Sequence, residues 1–443
     1  MPKKIVLTTF GSLGDLHPYL AIALELQRRD HYVTIATSEL YRGKIEALGI
    51  GFHAMRPDLP DPETAPEIVA RVMDLKTGGE YLVRELLMPH LRDSLEDLRA
   101  AARDADVFVT HPVTFAAPFA AQLLQQQRPE LRWVSTVLAP ISLPSIYDPP
   151  TPPIYPAIAH LYKLGLPAIR SWFWTMRTVT NTWLAPYYAL QQELGLPARG
   201  NPLLGGELSP ERVLALFSST LAAPQKDWPP QTRICGFSFF DARGALQPFA
   251  QNSLLASGDE KSGKLSRELE VFLAQGEAPV VFTLGSSAVM DAGDFYHASA
   301  EAVRKLGRRA ILLAGSQANV PDDLPPSVAA FDYAPYSALF PHCAAIVHQG
   351  GVGTTAQALR SGKPQLIMPY SHDQPDHAAR IRRMGVGTSV PRASYSAATA
   401  SGALQKILGD PEMAARAAHI GAIVRAENGA ETAANEIEAA FDK

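Results

Sequence analysis

The feature of this sequence that most constrains its fold is an apolar segment followed by three closely spaced glycines and a helix-forming segment. Residues 344–347 predict a buried strand, Gly350, Gly351 and Gly353 a tight turn, and residues 356–360 a helix. Such a turn leaves backbone N–H groups pointing outward at a helix N-terminus, where the helix dipole favours negative charge. The segment therefore predicts an anion site, although glycines at a strand-to-helix turn also serve tight packing alone.

A second apolar strand is predicted at 365–368, and polar residues follow it at once, among them Asp373 and Gln374. Because the carboxyl ends of neighbouring parallel strands lie at one edge of a sheet, these side chains are expected beside the glycine turn. The hydroxyl of Thr354, within the turn, would add another donor. The segment lacks the lysine and serine or threonine pair of a P-loop, so that nucleotide-binding motif does not apply.

The rest of the chain also alternates strand patterns with helical ones. Further strands are predicted at 5–9, 32–37, 51–55, 106–110, 133–137, 214–218, 279–284 and 309–314, and helices at 19–28, 42–48, 79–103, 336–340 and 411–441. Such alternation predicts an α/β fold of doubly wound parallel sheets. Because 443 residues exceed what one core usually encloses, we predict an N-terminal domain at 1–240, a polar linker at 241–264, a C-terminal domain at 265–410 and a helical segment at 411–443.

The loop after the first strand, Gly11 to Asp15, has several interpretations. A dinucleotide site is one, but the third glycine of that fingerprint is missing, and Glu39 is the one acidic residue suitably placed after the second strand. Asp15 itself would cap a helix starting near Pro18, or act as a general base if it faces a substrate hydroxyl. His111, which follows the strand at 106–110, is expected at the same edge of the sheet, where a histidine is often only structural.

Residues 140–200 combine many prolines with a dense group of aromatic residues: Trp172, Phe173, Trp174, Trp183, Tyr187 and Tyr188. This density is compatible with a core, with a membrane-surface face, or with the wall of a pocket for an apolar ligand. Few basic residues accompany the aromatic ones, whereas interfacial helices usually carry several. We therefore expect at most a weak peripheral contact with membranes.

Composition excludes some classes of protein. A hydrophobic content of 47% and a charged content of 19% are typical of globular domains. The net charge of −4 gives no electrostatic reason to expect a nucleic-acid partner. The two cysteines are far apart in the sequence, so we expect no structural disulfide between them. The apolar run near the N-terminus is too short for a signal peptide. We expect a cytoplasmic protein, and the sequence does not predict its oligomeric state.

Two motifs resemble those of family 1 glycosyltransferases. The block His348-x-Gly-Gly-x-Gly-Thr-Thr, followed about twenty residues later by Asp373-Gln-Pro, resembles their donor-sugar signature. The run Gly11-x-x-Gly-Asp-x-x-Pro is similar to the sterol and bacterial antibiotic branch, and the signature looks most like the sterol and rhamnolipid enzymes. The resemblance implies a GT-B fold, in which two Rossmann-like domains face each other across a cleft and the last helix crosses back to the first domain.

The same resemblance implies an inverting, metal-independent transfer, without a cofactor, from a UDP- or dTDP-sugar to a hydroxyl of a small lipophilic or aromatic acceptor. Asp15 would be the general base and His111 its partner, because plant relatives carry this pair with the two residue types exchanged. His17 competes for the role of base or, with Trp172 and Trp174, contacts the acceptor. The residues with an implied role in donor binding are Gly14, Ser286, Tyr333, Ala334, His348, Gly350, Gly351, Gly353, Thr354, Asp373 and Gln374.

One departure from the plant pattern bears on the donor. Plant members place a glutamate on the helix after the glycines to hold the ribose hydroxyls, and Ala356 or Gln357 stands there in this chain. Without that carboxylate dTDP-sugars become plausible donors, so UDP-glucose is expected first and dTDP-glucose or dTDP-rhamnose close behind. A nucleotide-sugar epimerase, a phosphorylase and a non-catalytic subunit remain alternatives, because one fold supports several functions.

Overall fold

The computed structural model describes residues 1–59, 64–152, 156–240 and 264–441, and all but the last residue of the predicted linker 241–264 lies outside these ranges. The chain divides into two compact units. The first comprises Met1–Asp61, Lys76–Phe240 and Glu427–Lys443, and the second comprises Pro62–Leu75 and Asp241–Ala426. Each unit is built on one parallel sheet.

Within the described ranges the sheet of the first unit has seven strands in the order β3-β2-β1-β4-β5-β6-β7. The strands are β1 Lys4–Thr8, β2 Tyr32–Thr37, β3 Gly51–Ala54, β4 Val107–Thr110, β5 Arg132–Val137, β6 Arg212–Ala215 and β7 Thr232–Ile234. The central strands are apolar because helices cover both faces of a parallel sheet. The prediction that β6 is the last strand was wrong: β7 is an edge strand of three residues with an exposed arginine, so it has no apolar run to detect.

The second unit has a sheet of six described strands in the order β10-β9-β8-β11-β12-β13. These are β8 Val280–Thr283, β9 Ala310–Leu313, β10 Val328–Phe331, β11 Ala345–His348, β12 Gln365–Ile367 and β13 Gly387–Ser389. The sequence predicted four of them and missed β10 and β13, which form the two edges. Edge strands are less buried and therefore carry a weaker apolar pattern.

The helices cover the faces of these sheets, and among those of the described residues none has the length and apolarity to cross a bilayer. In chain order they are α1 Leu13–Arg28, α2 Arg42–Glu46, α3 Pro66–Val72, α4 Gly78–Tyr81, α5 Leu91–Ala101, α6 Ala117–Gln127, α7 Leu166–Trp183, α8 Ala185–Glu193, α9 Arg267–Ala274, α10 Gly285–Ala288, α11 Phe295–Leu306, α12 Tyr336–Leu339, α13 Val352–Ser361, α14 Gln374–Arg383, α15 Ala397–Leu408, α16 Pro411–Ala426 and α17 Gly429–Glu438.

Three helix predictions need correction. The helix predicted at 411–441 is two helices, α16 and α17, because residues 427 and 428 interrupt it. The helix predicted at 79–103 is helical throughout most of its length, but a π-helical segment, Leu82–Leu87, and a 3-10 turn, Met88–His90, separate α4 from α5. Pro89 lies in that turn, and a proline has no N–H to continue an α-helical ladder. The helix predicted to start near Pro18 begins at Leu13, because Ser12 caps it and Pro18 lies inside it.

Helix α3 is separated in sequence from the rest of the second unit, yet it packs there. Met73, just after the helix, is buried in the apolar core of that unit, and Val69 packs against the same core. The helix also contacts the 3-10 turn Val289–Asp291. The segment between β3 and α4 therefore supplies part of the second unit's core.

Candidate functional site

The first cluster of predicted site residues lies in the loop between β1 and α1. Asp15 is the third residue of α1, and its Oδ2 accepts hydrogen bonds from the Ser12 N–H at 2.8 Å and the Ser12 hydroxyl at 3.2 Å. This is a capping box, in which Ser12 and Asp15 satisfy each other's free donors at the helix start. Gly11 is required here because its φ is +129° and a Cβ would lie 2.3 Å from Asp15 Oδ2. Asp15 is therefore not the cap of a helix that starts near Pro18, as predicted: it lies inside α1, and one of its carboxylate oxygens completes the box around the Ser12 cap.

The second carboxylate oxygen of Asp15 faces His111. Strands β1 and β4 are neighbours in register, with Leu7 opposite Val109, so His111 follows β4 at the same edge as the Asp15 loop. His111 Nδ1 accepts the Val113 N–H at 3.4 Å, which leaves the ring proton on Nε2, 3.8 Å from Asp15 Oδ1. Burial lowers the pKa of His111 to about 3, so the ring is neutral at physiological pH. The structure therefore brings Asp15 and His111 together, with the imidazole Nε2 near the second carboxylate oxygen.

Gly14 and His17 occupy the same first turns of α1. The Gly14 N–H donates to the Ser12 hydroxyl at 3.2 Å, so in this conformation it belongs to the cap. The His17 ring lies 5.3 Å from that of Phe240, and its Nε2 is buried without a hydrogen-bond partner among the described residues. Burial and, secondarily, the Lys44 charge lower the pKa of His17 to about 3. Their predicted roles in binding stay predictions.

The two predicted acceptor tryptophans lie on α7 and differ in environment. Trp174 is exposed and lines an open cavity of about 410 Å³ together with Phe173, Arg177 and the loop 199–206. Trp172 is half-buried and is not among the residues that line this cavity. Tyr187 and Trp183, from the same aromatic group, pack in or against the core of the first unit. Part of the aromatic density is therefore core, and part of it is surface.

The second cluster lies at the carboxyl edge of the other sheet. Strands β8, β11 and β12 are adjacent, with Phe282 opposite Val347 and His348 opposite Ile367. Their ends place Ser286, the glycine turn and Asp373 along one edge, as the sequence predicted. Helix α13 begins at Val352 after Gly351, which has no side-chain cap. The first N–H groups of such a helix have no intrahelical acceptor, and this geometry is suited to an anion.

His348 is buried beneath this turn, and both of its ring nitrogens bond to the protein. Nε2 donates to Gln365 Oε1 at 2.9 Å, and Nδ1 accepts the Gly350 N–H at 3.0 Å. Burial, chiefly, lowers the pKa of His348 to about 4, so the ring is a neutral hydrogen-bonding group. In this conformation the ring holds the turn in place and presents no nitrogen beyond it.

A second histidine, His377, holds the other side of the same glycine, and sequence reasoning did not assign it a role. Its Nδ1 donates to the Gly350 carbonyl at 2.8 Å. Gly350 has a φ of +92°, and a Cβ there would lie 2.9 Å from Ile367 Cγ2. Gly350 is thus fixed by its conformation and by two buried imidazoles. No local pattern reveals this pairing, because His377 lies 27 residues from Gly350 in the chain.

Gln349 and Tyr336 connect the glycine turn to the turn after β8, and neither was predicted. A Cβ on Gly285 would lie 2.3 Å from Gln349 Nε2, and a Cβ on Gly351 would lie 2.8 Å from it, so the amide fills the space between the two turns. The Tyr336 hydroxyl bonds Thr283 Oγ1 at 2.7 Å and also bonds Thr354. The glycine turn and the turn after β8 therefore form one connected unit.

The loop after β12 carries Asp373 and Gln374. Gln374 is buried, and its Oε1 accepts the Tyr370 N–H at 2.8 Å, so that oxygen organises its own loop. Asp373 is half-exposed, with Oδ2 3.6 Å from His377 Nδ1. His372 has a φ of +55°, which is uncommon for a side chain other than glycine and often marks a functional loop. Its ring hydrogen-bonds the Val72 backbone, so α3 supports this loop.

The remaining predicted donor residues are placed as follows. Tyr333 follows β10 and is exposed, with its ring 6.4 Å from that of Tyr336, whereas Ala334 is buried. Ser286 is exposed on α10. Of the two residues at the plant glutamate position, Ala356 is buried and Gln357 is half-buried. Among the described residues, no three histidine, cysteine, aspartate or glutamate side chains are grouped so that they could hold a metal ion.

Comparisons with known proteins agree with this geometry. Residues 5–120 match the glycosyltransferase family 28 N-terminal domain, and residues 303–441 match the erythromycin biosynthesis protein CIII-like C-terminal domain. The O-mycaminosyltylonolide 6-deoxyallosyltransferase of Streptomyces fradiae is 30% identical over 452 residues, which covers 98% of this chain and 97% of that protein. The sterol 3-beta-glucosyltransferase of Leptosphaeria maculans is 27% identical over 460 residues, and the match covers the whole of this chain but 29% of that longer protein.

Solved structures show the same fold. The glycotransferase of kitacinnamycin superposes with a TM-score of 0.69 at 21% identity over the full length of both chains. The glycosyltransferase VinC in complex with dTDP superposes with a TM-score of 0.66 at 20% identity over 99% of both chains. These findings confirm the GT-B class of fold, with two Rossmann-like parallel-sheet domains. With its full-length relative at 30% identity, the chain belongs to the family 1 type of nucleotide-sugar-dependent glycosyltransferases.

Proposed function

We propose that this glycosyltransferase moves a sugar, glucose by preference, from a UDP- or dTDP-sugar to a hydroxyl of a small lipophilic acceptor, with inversion and without a metal ion. The observation that carries the proposal is the position of Asp15. One of its carboxylate oxygens is engaged in the capping box, and the other lies 3.8 Å from His111 Nε2 at the edge of the sheet. A carboxylate fixed at the end of a strand can act as the base that takes the proton of a bound hydroxyl.

In the proposed reaction, Asp15 Oδ1 takes the proton of the acceptor hydroxyl. The acceptor oxygen forms a bond to the anomeric carbon of the donor sugar, the bond from that carbon to the phosphate oxygen breaks, and the nucleoside diphosphate leaves with the electron pair. Attack from the side opposite the leaving group inverts the anomeric centre. A buried ring with a pKa of about 3 is a poor base, so His111 would not take this proton itself. It would instead orient Asp15 by donating its Nε2 hydrogen to the carboxylate.

The diphosphate would be bound by the turn at the start of α13. The free N–H groups there and the helix dipole stabilise the charge that grows on the leaving group, which is the role of a metal ion in other enzymes. His348 and His377 support this by holding Gly350 from both sides. If the amides supply this stabilisation, EDTA should leave the transfer rate unchanged, and restoration of lost activity by magnesium or manganese would contradict it.

A lipophilic acceptor is supported by two independent facts. The surface of α7 exposes Trp174 beside an open cavity that Phe173 also lines, and aromatic faces such as these can pack against an apolar ring. The relatives named above act on O-mycaminosyltylonolide and on sterols, according to their names. A cytoplasmic location stays a prediction.

The direct test replaces the proposed base. Asp15→Asn keeps the shape of the side chain, and we expect it to bind UDP or dTDP normally while the transfer rate falls by roughly 10²–10⁴. Glu39→Gln is the matched control, since it removes a carboxylate from the same unit that is paired with Arg42 on the surface. Near-normal transfer by Asp15→Asn would assign the base to His17 or His111. Nucleotide binding by the wild type without any transfer, across donors and lipophilic acceptors, would instead support a non-catalytic binding protein.

A further inference from the structure

Helix α7 and the turn before it have an exposed surface that extends well beyond the cavity beside Trp174. Three leucines around Gly165 are exposed to solvent, Leu161 by 51%, Leu164 by 71% and Leu166 by 38%. Trp174, two turns further along the helix, is exposed by 69%. Within the 18 residues of α7, only Ile169 and Thr180 are buried. This 18-residue helix therefore exposes most of its surface, and an exposed surface with large apolar side chains often marks an interaction site.

The charges on this surface are all of one sign. No aspartate or glutamate occurs between 149 and 192, although the chain has 44 acidic residues among 443 and about four would be expected in a stretch of this length. Lys163, Arg170 and Arg177 lie in this stretch. Among the residues that the structure describes, no carboxylate lies within 4.0 Å of any of the three, whereas Arg84 and Arg92 on the same unit are each paired with a glutamate.

The spacing places these groups together. Arg170, Trp174 and Arg177 are separated by four and three residues, so they lie on one face of α7. Basic residues are few in this stretch, but two of them flank the exposed tryptophan, and this arrangement suits the boundary between lipid headgroups and acyl chains. The three leucines lie at the N-terminal end of the same helix, where Gly165 turns the chain with a φ of +87°.

We propose that this surface, made of Leu161, Leu164, Leu166, Arg170, Trp174 and Arg177, docks on an anionic lipid bilayer. The leucines and the tryptophan enter the interface, and the cations face the lipid phosphates. A second copy of the chain is a poorer occupant, because a two-fold interface would bring the same unpaired cations against each other. The proposed function gives this docking its purpose, because the enzyme would meet a lipophilic acceptor at a membrane surface. The docking itself does not depend on that function. Its test needs neither donor nor acceptor.

The test is co-sedimentation of the full chain with vesicles of phosphatidylcholine alone and of phosphatidylcholine mixed with phosphatidylglycerol. We expect binding to the mixed vesicles, weakened by salt and much lower on phosphatidylcholine alone. Arg170→Gln with Arg177→Gln should weaken binding by roughly fivefold for each arginine removed. Arg84→Gln with Arg92→Gln changes the net charge equally and should bind like the wild type.

The leucines are tested separately, because charge alone would also attract a protein to these vesicles. Leu161→Ser with Leu164→Ser should reduce binding to the mixed vesicles while circular dichroism and unfolding remain those of the wild type, since both side chains are exposed. The proposal is overturned if the wild type does not bind mixed vesicles, or if the control pair weakens binding as much as the α7 pair. It is also overturned if the leucine variant instead dissociates a dimer, which would assign the surface to a second copy.

Discussion

Replacement of His348 by asparagine and by glutamine distinguishes support of the glycine turn from direct contact with the diphosphate. The asparagine Oδ1 lies near the position of the imidazole Nδ1 and can accept the Gly350 N–H, whereas the glutamine amide reaches the position of Nε2 and its bond to Gln365. If His348 acts through Gly350, His348→Asn should bind UDP and dTDP much better than His348→Gln or His348→Ala.

The magnitude follows from the burial of the pair. Loss of the acceptor leaves the buried Gly350 N–H without its partner, at a cost of about 1–3 kcal/mol. If that cost appears in the ordered, nucleotide-binding form of the turn, affinity for UDP falls by roughly 5- to 150-fold in the glutamine and alanine variants. Titration calorimetry with UDP and with dTDP measures this, and urea unfolding of each variant separates weaker binding from weaker folding.

Two results would refute the reasoning. Equal and large losses of affinity in all three variants would mean that the imidazole itself contacts the diphosphate. Wild-type affinity in His348→Ala would mean that the turn is ordered without it, and His377, which bonds the Gly350 carbonyl, would then be the residue to replace.

Three further predictions concern the donor base, acid stability and α3. UDP- and dTDP-glucose should be used with efficiencies within roughly tenfold in a competition assay, and Gln357→Glu should shift the preference toward UDP-glucose; a wild-type preference above about a hundredfold would mean that another group reads the 2′-hydroxyl. Burial holds the pKa of His111 near 3, below its unfolded value of 6.5, so the unfolded chain binds more protons as the pH falls below 6.5 and stability is lost. Between neutral pH and about pH 5 this should remove roughly 2 kcal/mol, and urea unfolding of His111→Gln should show a flatter pH dependence; an unchanged slope would contradict it. Met73→Ala removes a buried side chain beneath the His372 loop and should destabilise the fold by about 2–5 kcal/mol. It should also weaken the binding of UDP-glucose more than that of UDP; equal weakening of both would show that α3 does not support sugar recognition.

Much of the fold could be predicted from the sequence, because its signals are local. Alternation of apolar strands with helical segments predicted two doubly wound parallel sheets, and the comparisons confirmed the GT-B class. The strand β7 was missed because a half-exposed edge strand has a weak local signal. The start of α1 was misplaced because the capping box of Ser12 and Asp15 lies before the apolar pattern of the helix. The family was recognised from the glycine turn and the Asp373-Gln-Pro run, which occupy short stretches of chain.

The sequence by itself thus determined the alternation of strands and helices along the chain and the glycine turn after β11. It also predicted that Asp373 lies at the same sheet edge as that turn. Only the tertiary structure decided what each polar group faces. His348 and Gln374 were predicted from the sequence to bind the donor, yet hydrogen bonds to Gly350, Gln365 and the loop of Gln374 itself use them. The reason is physical: a backbone turn depends on neighbours a few residues away, whereas the partner of a buried imidazole depends on which strands lie side by side and which helix covers them.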